Sequence, residues 1–183
     1  MAAVDLVRTD ERLLGSVGEH HVDLVLNLPT SRAGVRGESL DAQIAGYWSI
    51  ESNINNPDPV GVFLGEYDGQ PIHLRSQIHL TPRYAVRHAD LSGAVGEHEV
   101  RAHVAPVEAP ACGPTVMDVD GDFDGAAITL FVTVETDLSG AHINGVIDGN
   151  TVSISATHSS VSGEYDGPAA LFPLLTCSLL YFV

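Results

Sequence analysis

Apolar and polar residues alternate with a period of two over most of the chain, and one motif punctuates the alternation. An apolar residue is followed two positions later by Gly, then by an aromatic or branched residue, a two-residue turn and a new alternating run. The motif is anchored at Gly15, Gly65, Gly93, Gly121, Gly145 and Gly163. Two positions before the glycines stand Leu13, Phe63, Leu91, Val119, Ile143 and Val161. Two positions after them stand Val17, Tyr67, Val95, Phe123, Ile147 and Tyr165. The turn pairs are Gly18-Glu19, Asp68-Gly69, Gly96-Glu97, Asp124-Gly125, Asp148-Gly149 and Asp166-Gly167.

Asp-Gly between two alternating runs signals a type I′ hairpin, because that turn needs φ > 0 at both central residues. Gly-Glu suits type II′, with Gly first. A two-residue turn fixes the register, so each anchor Gly faces the residue seven positions on and the preceding apolar residue faces the ninth. Those partners are apolar: Val22/Leu24, Ile72/Leu74, Val100/Ala102, Ile128/Leu130, Val152/Ile154 and Ala170/Phe172. Each hairpin therefore has one apolar face and one largely polar face, as in an antiparallel sheet solvated on one side. A Gly on the apolar face marks a bend or a close approach, and repeated bends coil a sheet.

The pattern predicts an all-β protein, an antiparallel barrel built from six β-hairpins, with a flattened β-sandwich as the alternative. Uneven anchor spacing argues against a solenoid of fixed period. At 183 residues the chain fits a single β-barrel domain, residues 1–183. Residues 29–59 interrupt the series and read as an inserted helical or loop segment. Within it Glu38–Ala45 spaces Leu40 and Ile44 four apart, which predicts one short helix, followed directly by Tyr47 and the only Trp, Trp48. Such an insertion reads as a lid or an end plug. The apolar run 169–183 is broken by Pro173 and too short to span a bilayer, so it reads as a last core strand or strand pair.

Composition narrows the partners. The formal net charge is −16, and all eight basic residues are Arg. An acidic chain disfavours nucleic acid and anionic membranes. No basic n-region or apolar h-region opens the sequence, so a cytoplasmic location is expected and Cys112 and Cys177 are expected to be reduced, their pairing left open.

Motifs for chemistry are sparse. Asp118–Asp124 looks like a calcium loop but lacks the twelfth-position carboxylate, which is Phe131, and the hairpin repeat explains the same residues. The nine histidines form no HExxH, and no zinc spacing includes the cysteines, so no metal and no cofactor is expected. No nucleophile elbow, triad spacing or phosphate loop is present, which leaves the catalytic residues unassigned. His20 and His98 occupy equivalent positions just after their turns and could face each other across a barrel mouth. Arg83 and Tyr84 form part of a polar-aromatic segment that could meet Tyr47 and Trp48 across an open end. These six residues are the candidate ligand-binding set.

A barrel of this size can be wider than its side chains fill, leaving an apolar cavity. The expected function is a cavity-containing β-barrel acting on a bulky apolar small molecule. Without metal or nucleophile, the chemistry that fits is cofactor-free cyclisation or isomerisation, cycloaddition included, of the kind found in bacterial natural-product biosynthesis, where confinement lowers the barrier. No residue motif ties the chain to a family of such enzymes. Two alternatives stand beside it: a non-catalytic binding or carrier barrel, and a structural or assembly module. Homo-oligomerisation is left open.

Overall fold

The register dictated by two-residue turns is found at five of the six motif sites. Val17 pairs with His20, Gly15 with Val22 and Leu13 with Leu24, and the same offsets hold after Gly65, Gly93, Gly121 and Gly145. The turn conformations follow the residue types. Asp68-Gly69, Asp124-Gly125 and Asp148-Gly149 have both central residues at φ > 0, as type I′ requires, whereas Gly18-Glu19 and Gly96-Glu97 have only the Gly there.

These hairpins belong to a computed structural model that describes residues 1–27, 33–53, 56–82, 85–107 and 113–180, without the side chains of residues 52, 53, 56 and 57. The strands are β1 (Ala2–Thr9), β2 (Arg12–Val17), β3 (His20–Asn27), β4 (Gly34–Ser39), β5 (Ala42–Asn53), β6 (Asn56–Tyr67) and β7 (Gln70–Leu80). They continue as β8 (Val86–Val95), β9 (His98–Pro106), β10 (Thr115–Phe123), β11 (Ala126–Val134), β12 (Gly140–Ile147), β13 (Asn150–Thr157) and β14 (Ser160–Tyr165). Each strand pairs antiparallel with its chain neighbours, and β14 pairs with β1 to close a 14-stranded barrel. Closure leaves no edge and rules out the flattened sandwich.

The structure corrects three sequence expectations. First, residues 38–48 contain no helix. They form the hairpin β4–β5, with Gly37 opposite Ile44 and Gly34 opposite Tyr47. Gly37 is thus a further anchor of the same repeat, so 29–59 is largely barrel wall rather than an insertion. Its turn, Leu40-Asp41, places a Leu at φ 51 and an Asp at φ 63. A Leu is a poor choice for that conformation. The strain is offset because Leu40 packs against the core and Asp41 accepts hydrogen bonds from the backbone N–H of His21 (3.1 Å) and the ring of His20 (2.6 Å).

Second, Asp166-Gly167 is not a hairpin turn, and Gly167 is not among the residues at positive φ. A side chain at Gly167 would strike the ring of Tyr165. The Tyr165 hydroxyl donates to the Pro168 carbonyl at 2.6 Å, and its ring meets Phe172 edge-on at 5.1 Å. This clamp turns the chain inward.

Third, the last segment is a helix, α1 (Leu171–Leu180), not a strand. Pro173 lies in its first turn, where its missing N–H belongs to the unpaired donors of a helix start. The helix is apolar on nearly every side, and Leu171, Phe172, Leu174, Leu179 and Leu180 are all buried. Such a helix must be enclosed. It packs against β12 and β13 and also against β4, walls separated by several strands either way around the barrel, which places it in the lumen. Eight strands can be filled by their own side chains, and fourteen cannot. The helix supplies the missing core.

The even-numbered strands each carry one anchor glycine. A side chain at Gly15 would collide with the Asp5 carbonyl and one at Gly163 with the Ser153 carbonyl, and the other anchors repeat this. Adjacent backbones therefore approach more closely on the inner face there, which coils the sheet. Inward positions are mostly apolar, while outward ones mix Asp, Arg, His, Ser and Thr with scattered apolar residues such as Val7, Leu14, Leu64, Phe131 and Val146, unlike the continuous apolar band of a lipid-facing barrel. Among the described residues, no helix is long and apolar enough to cross a membrane.

Candidate functional site

The two ends of the barrel differ. At one end sit the two-residue turns, and α1 enters beside them from Tyr165. At the other end the connections vary, from two residues at Asp10-Glu11 and His158-Ser159 to five at 135–139, and β5–β10, of nine to twelve residues, outreach β2, β4 and β14, of six.

One inward ladder shows the consequence. Cross-strand pairing runs Ile78–Ala89–Val104–Val119–Leu130–Gly145–Val152. Leu130 is 1% exposed and Val152 0%, yet Ile78, Ala89, Val104 and Val119 are only half-buried. Strands tilt in a barrel, so one ladder passes from the helix-filled core to the wide mouth. Trp48, Leu91 and Met117 also face inward there, partly buried against the core. Trp48 meets Phe63 edge-on at 5.1 Å, and both rings lie over glycines, Trp48 close to Gly61 and Phe63 over Gly46. The result is an apolar, half-exposed inner wall above the helix.

The structure separates the expected ligand-binding residues. Trp48 is on this inner wall. Tyr47, its neighbour in a strand, points to the opposite face, as a period of two demands. It lines an open outer depression of about 910 Å³ with Arg36, Ala45, Leu64 and Glu66. His20 and His98 stay at the tight-turn end and do not meet. Each is exposed and bonds the Asp of the next turn, His20 to Asp41 at 2.6 Å and His98 to Asp124 at 2.8 Å. The bond from His20 holds the Asp41 carboxyl below its ordinary range. Arg83 and Tyr84 lie outside the described residues, as does Cys112. Asp118, Asp120 and Asp122 alternate along β10 with their side chains outward, and strand geometry keeps them from wrapping one cation as a loop does.

A polar cluster that sequence spacing did not reveal lies on the outside of the long wall. His79 on β7, His88 and Asp90 on β8, and His103 on β9 are brought together by strand pairing. His79 Nε2 is 3.5 Å and His88 Nε2 3.7 Å from Asp90 Oδ2, and His103 Nδ1 donates to Asp90 Oδ1 at 2.7 Å. The rings of His79 and His88 stack at 4.4 Å, and those of His88 and His103 lie 5.2 Å apart. The bond from His103, with three imidazoles nearby, holds the Asp90 carboxyl below its ordinary range. The Gly96-Glu97 turn register alone places His103 opposite Asp90. The β7–β8 connection, longer than two residues, hides the rest.

Ser155, His142 and Glu135 form a second outward group, with His142 Nδ1 2.9 Å from Ser155 Oγ and Nε2 3.5 Å from Glu135. The ring is reversed relative to a serine hydrolase, where Nε2 faces the nucleophile. Ser155 also sits mid-strand, between β12 and β14, where ladder pairing takes up backbone N–H groups that an oxyanion would need. The one described cysteine, Cys177, is buried on α1, and burial pushes its thiol up to about 12, so it is no nucleophile.

No family model, curated protein or solved structure matches the chain.

Proposed function

We propose that the barrel binds an apolar small molecule against the inner wall of its wide mouth. One observation carries this reading: the apolar ladder that is sealed at Leu130 and Val152 stays half-open at Ile78, Ala89, Val104 and Val119. Half-exposed apolar surface on a concave wall gains free energy when a ligand covers it, by roughly 25 cal/mol per Å². Because α1 fills the deeper lumen, the ligand sits above the helix rather than inside a full-length cavity. If the mouth also turns its ligand over, the reaction that fits an apolar wall is a cyclisation or isomerisation driven by confinement.

Trp48 is the only tryptophan, so its fluorescence reports the mouth without interference. Titration with the neutral dye Nile red should saturate and shift the Trp48 emission. Val104→Glu, which puts a charge on the wall, should weaken binding at least ten-fold with the fold retained. Absence of saturable binding, or binding indifferent to Val104→Glu and Ile78→Glu, would overturn the reading.

A further inference from the structure

We propose that His79, His88 and Asp90 form a binding site for a single zinc-type divalent cation on the outer face of the long wall. This is independent of the ligand reading, which concerns the inner face. Candidate ligand atoms of the three residues all lie within 4.8 Å of one another. A tetrahedral site with bonds of about 2.0–2.2 Å has ligand-to-ligand edges of roughly 3.3–3.6 Å. The separations of Asp90 Oδ2 from His79 Nε2, 3.5 Å, and from His88 Nε2, 3.7 Å, match two such edges within a few tenths of an ångström. The third edge, between the two imidazoles, is no longer than 4.8 Å, and closing it requires the stacked rings to turn so that both nitrogens aim at one cation.

The surrounding groups point the same way. Asp58 accepts the Leu80 backbone N–H through Oδ1 at 3.1 Å and presents Oδ2 to His79 Nδ1 at 3.4 Å. A carboxylate on the far nitrogen fixes the tautomer and aims Nε2, as outer partners do at metal-bound histidines. His103 holds Oδ1 of Asp90 and leaves Oδ2 for the cation. Two imidazoles and one carboxylate select a borderline cation over calcium or magnesium, which take oxygen ligands. With three protein ligands the fourth position is open to water. His79 and His88 are partly shielded, at 36% and 27% exposed, while Asp90 is 53% exposed, so a cation there would be reached from solvent. A bound cation would pin β7 to β8, with β9 attached through His103.

The full-length protein should bind one equivalent of zinc by calorimetry, undisturbed by excess calcium. Cobalt in its place should give the strong visible bands of a four- or five-coordinate nitrogen–oxygen site. His88→Ala and Asp90→Asn should each weaken zinc binding at least ten-fold. Asp58→Asn, which touches no cation, should weaken it by about 10–100-fold. The double variant His20→Ala/His98→Ala should leave it unchanged. Asp58, His88 and Asp90 point outward and His20 and His98 are exposed at the rim, so circular dichroism should report a folded barrel in every case. No zinc binding, a weak octahedral cobalt spectrum, or affinity unchanged in His88→Ala or lost in the His20/His98 variant would each overturn the assignment.

Discussion

The barrel has two walls built from one repeat, and they have different fates. On the short wall, from β11 through the β14–β1 seam to β4, strands are mostly six to nine residues long and their inward side chains are nearly all sealed against α1: Leu6, Leu24, Ile143 and Ile154 are each at most 1% exposed. On the long wall, β5–β10, the same inward positions start sealed at Phe63, Leu74, Val100 and Phe123, next to the tight turns, and become half-exposed farther along. The repeat sets curvature and register, while the helix decides which part of the inner face is core. What the helix does not reach is left as a surface, with the His–Asp cluster on its back.

Several substitutions separate the walls. The largest effect is expected from a charge in the sealed region: Ile154→Glu should unfold the protein, because an unpaired buried carboxylate has no compensation. The equivalent change on the long wall, Val104→Glu, should shift the urea midpoint only slightly. Equal loss in both would remove the distinction. Next comes the helix. Phe172→Ala should lower stability by about 3–5 kcal/mol, since the ring is fully buried between Tyr165 and the core. A loss under about 1 kcal/mol in denaturant titration would show that α1 is not the core of the lumen.

A smaller pair tests the repeat. Gly163→Ala would drive a methyl group into the Ser153 carbonyl, whereas Gly149→Ala, at φ 78, meets nothing within 4 Å. The turn change should cost about 1 kcal/mol for backbone strain alone, and the anchor change clearly more. The reverse order would sink the close-approach explanation.

The smallest effect is electrostatic. Asp23, beside Arg12, with Asp41, Asp90 and Asp137, is held below the usual carboxylate range in the folded state by hydrogen bonds and nearby cations. A depressed folded value means that the unfolded chain binds more protons in the acid range. The contribution is present above the unfolded value, near pH 4, and is lost as pH falls through the folded values. Melting temperature should therefore decline mildly below about pH 4. High salt should blunt the decline, because these groups are exposed.

How much of this was legible in the sequence depended on how local the cause is. Five hairpins and their registers follow from two-residue turns, which encode pairing within a dozen residues. The hairpin at Leu40-Asp41 was hidden because its turn residues contradict turn chemistry and are rescued by contacts with the core and with His20. The helix was hidden by Pro173 and by an apolar run that shows no period when every side is buried. Asp166-Gly167 misled because the same dipeptide redirects the chain under the Tyr165 ring. At the candidate sites, opposite faces for Tyr47 and Trp48 were readable once they are placed on a strand. The group His79, His88 and Asp90 was not, because it depends on the register across a connection longer than two residues.

The division between a sealed and an open inner face is tested most directly by thiol labelling. With Cys112→Ser as the background, Cys177 is expected to stay unreactive until the protein unfolds, being buried on α1 with its thiol pushed up to about 12. Cysteine is then introduced at position 104 or 154, which face the same lumen. The expected result is rapid labelling of Val104→Cys under native conditions and none of Ile154→Cys before unfolding. Equal labelling at both positions, or faster reaction at 154, would contradict a barrel that its own helix fills on one side and leaves open on the other.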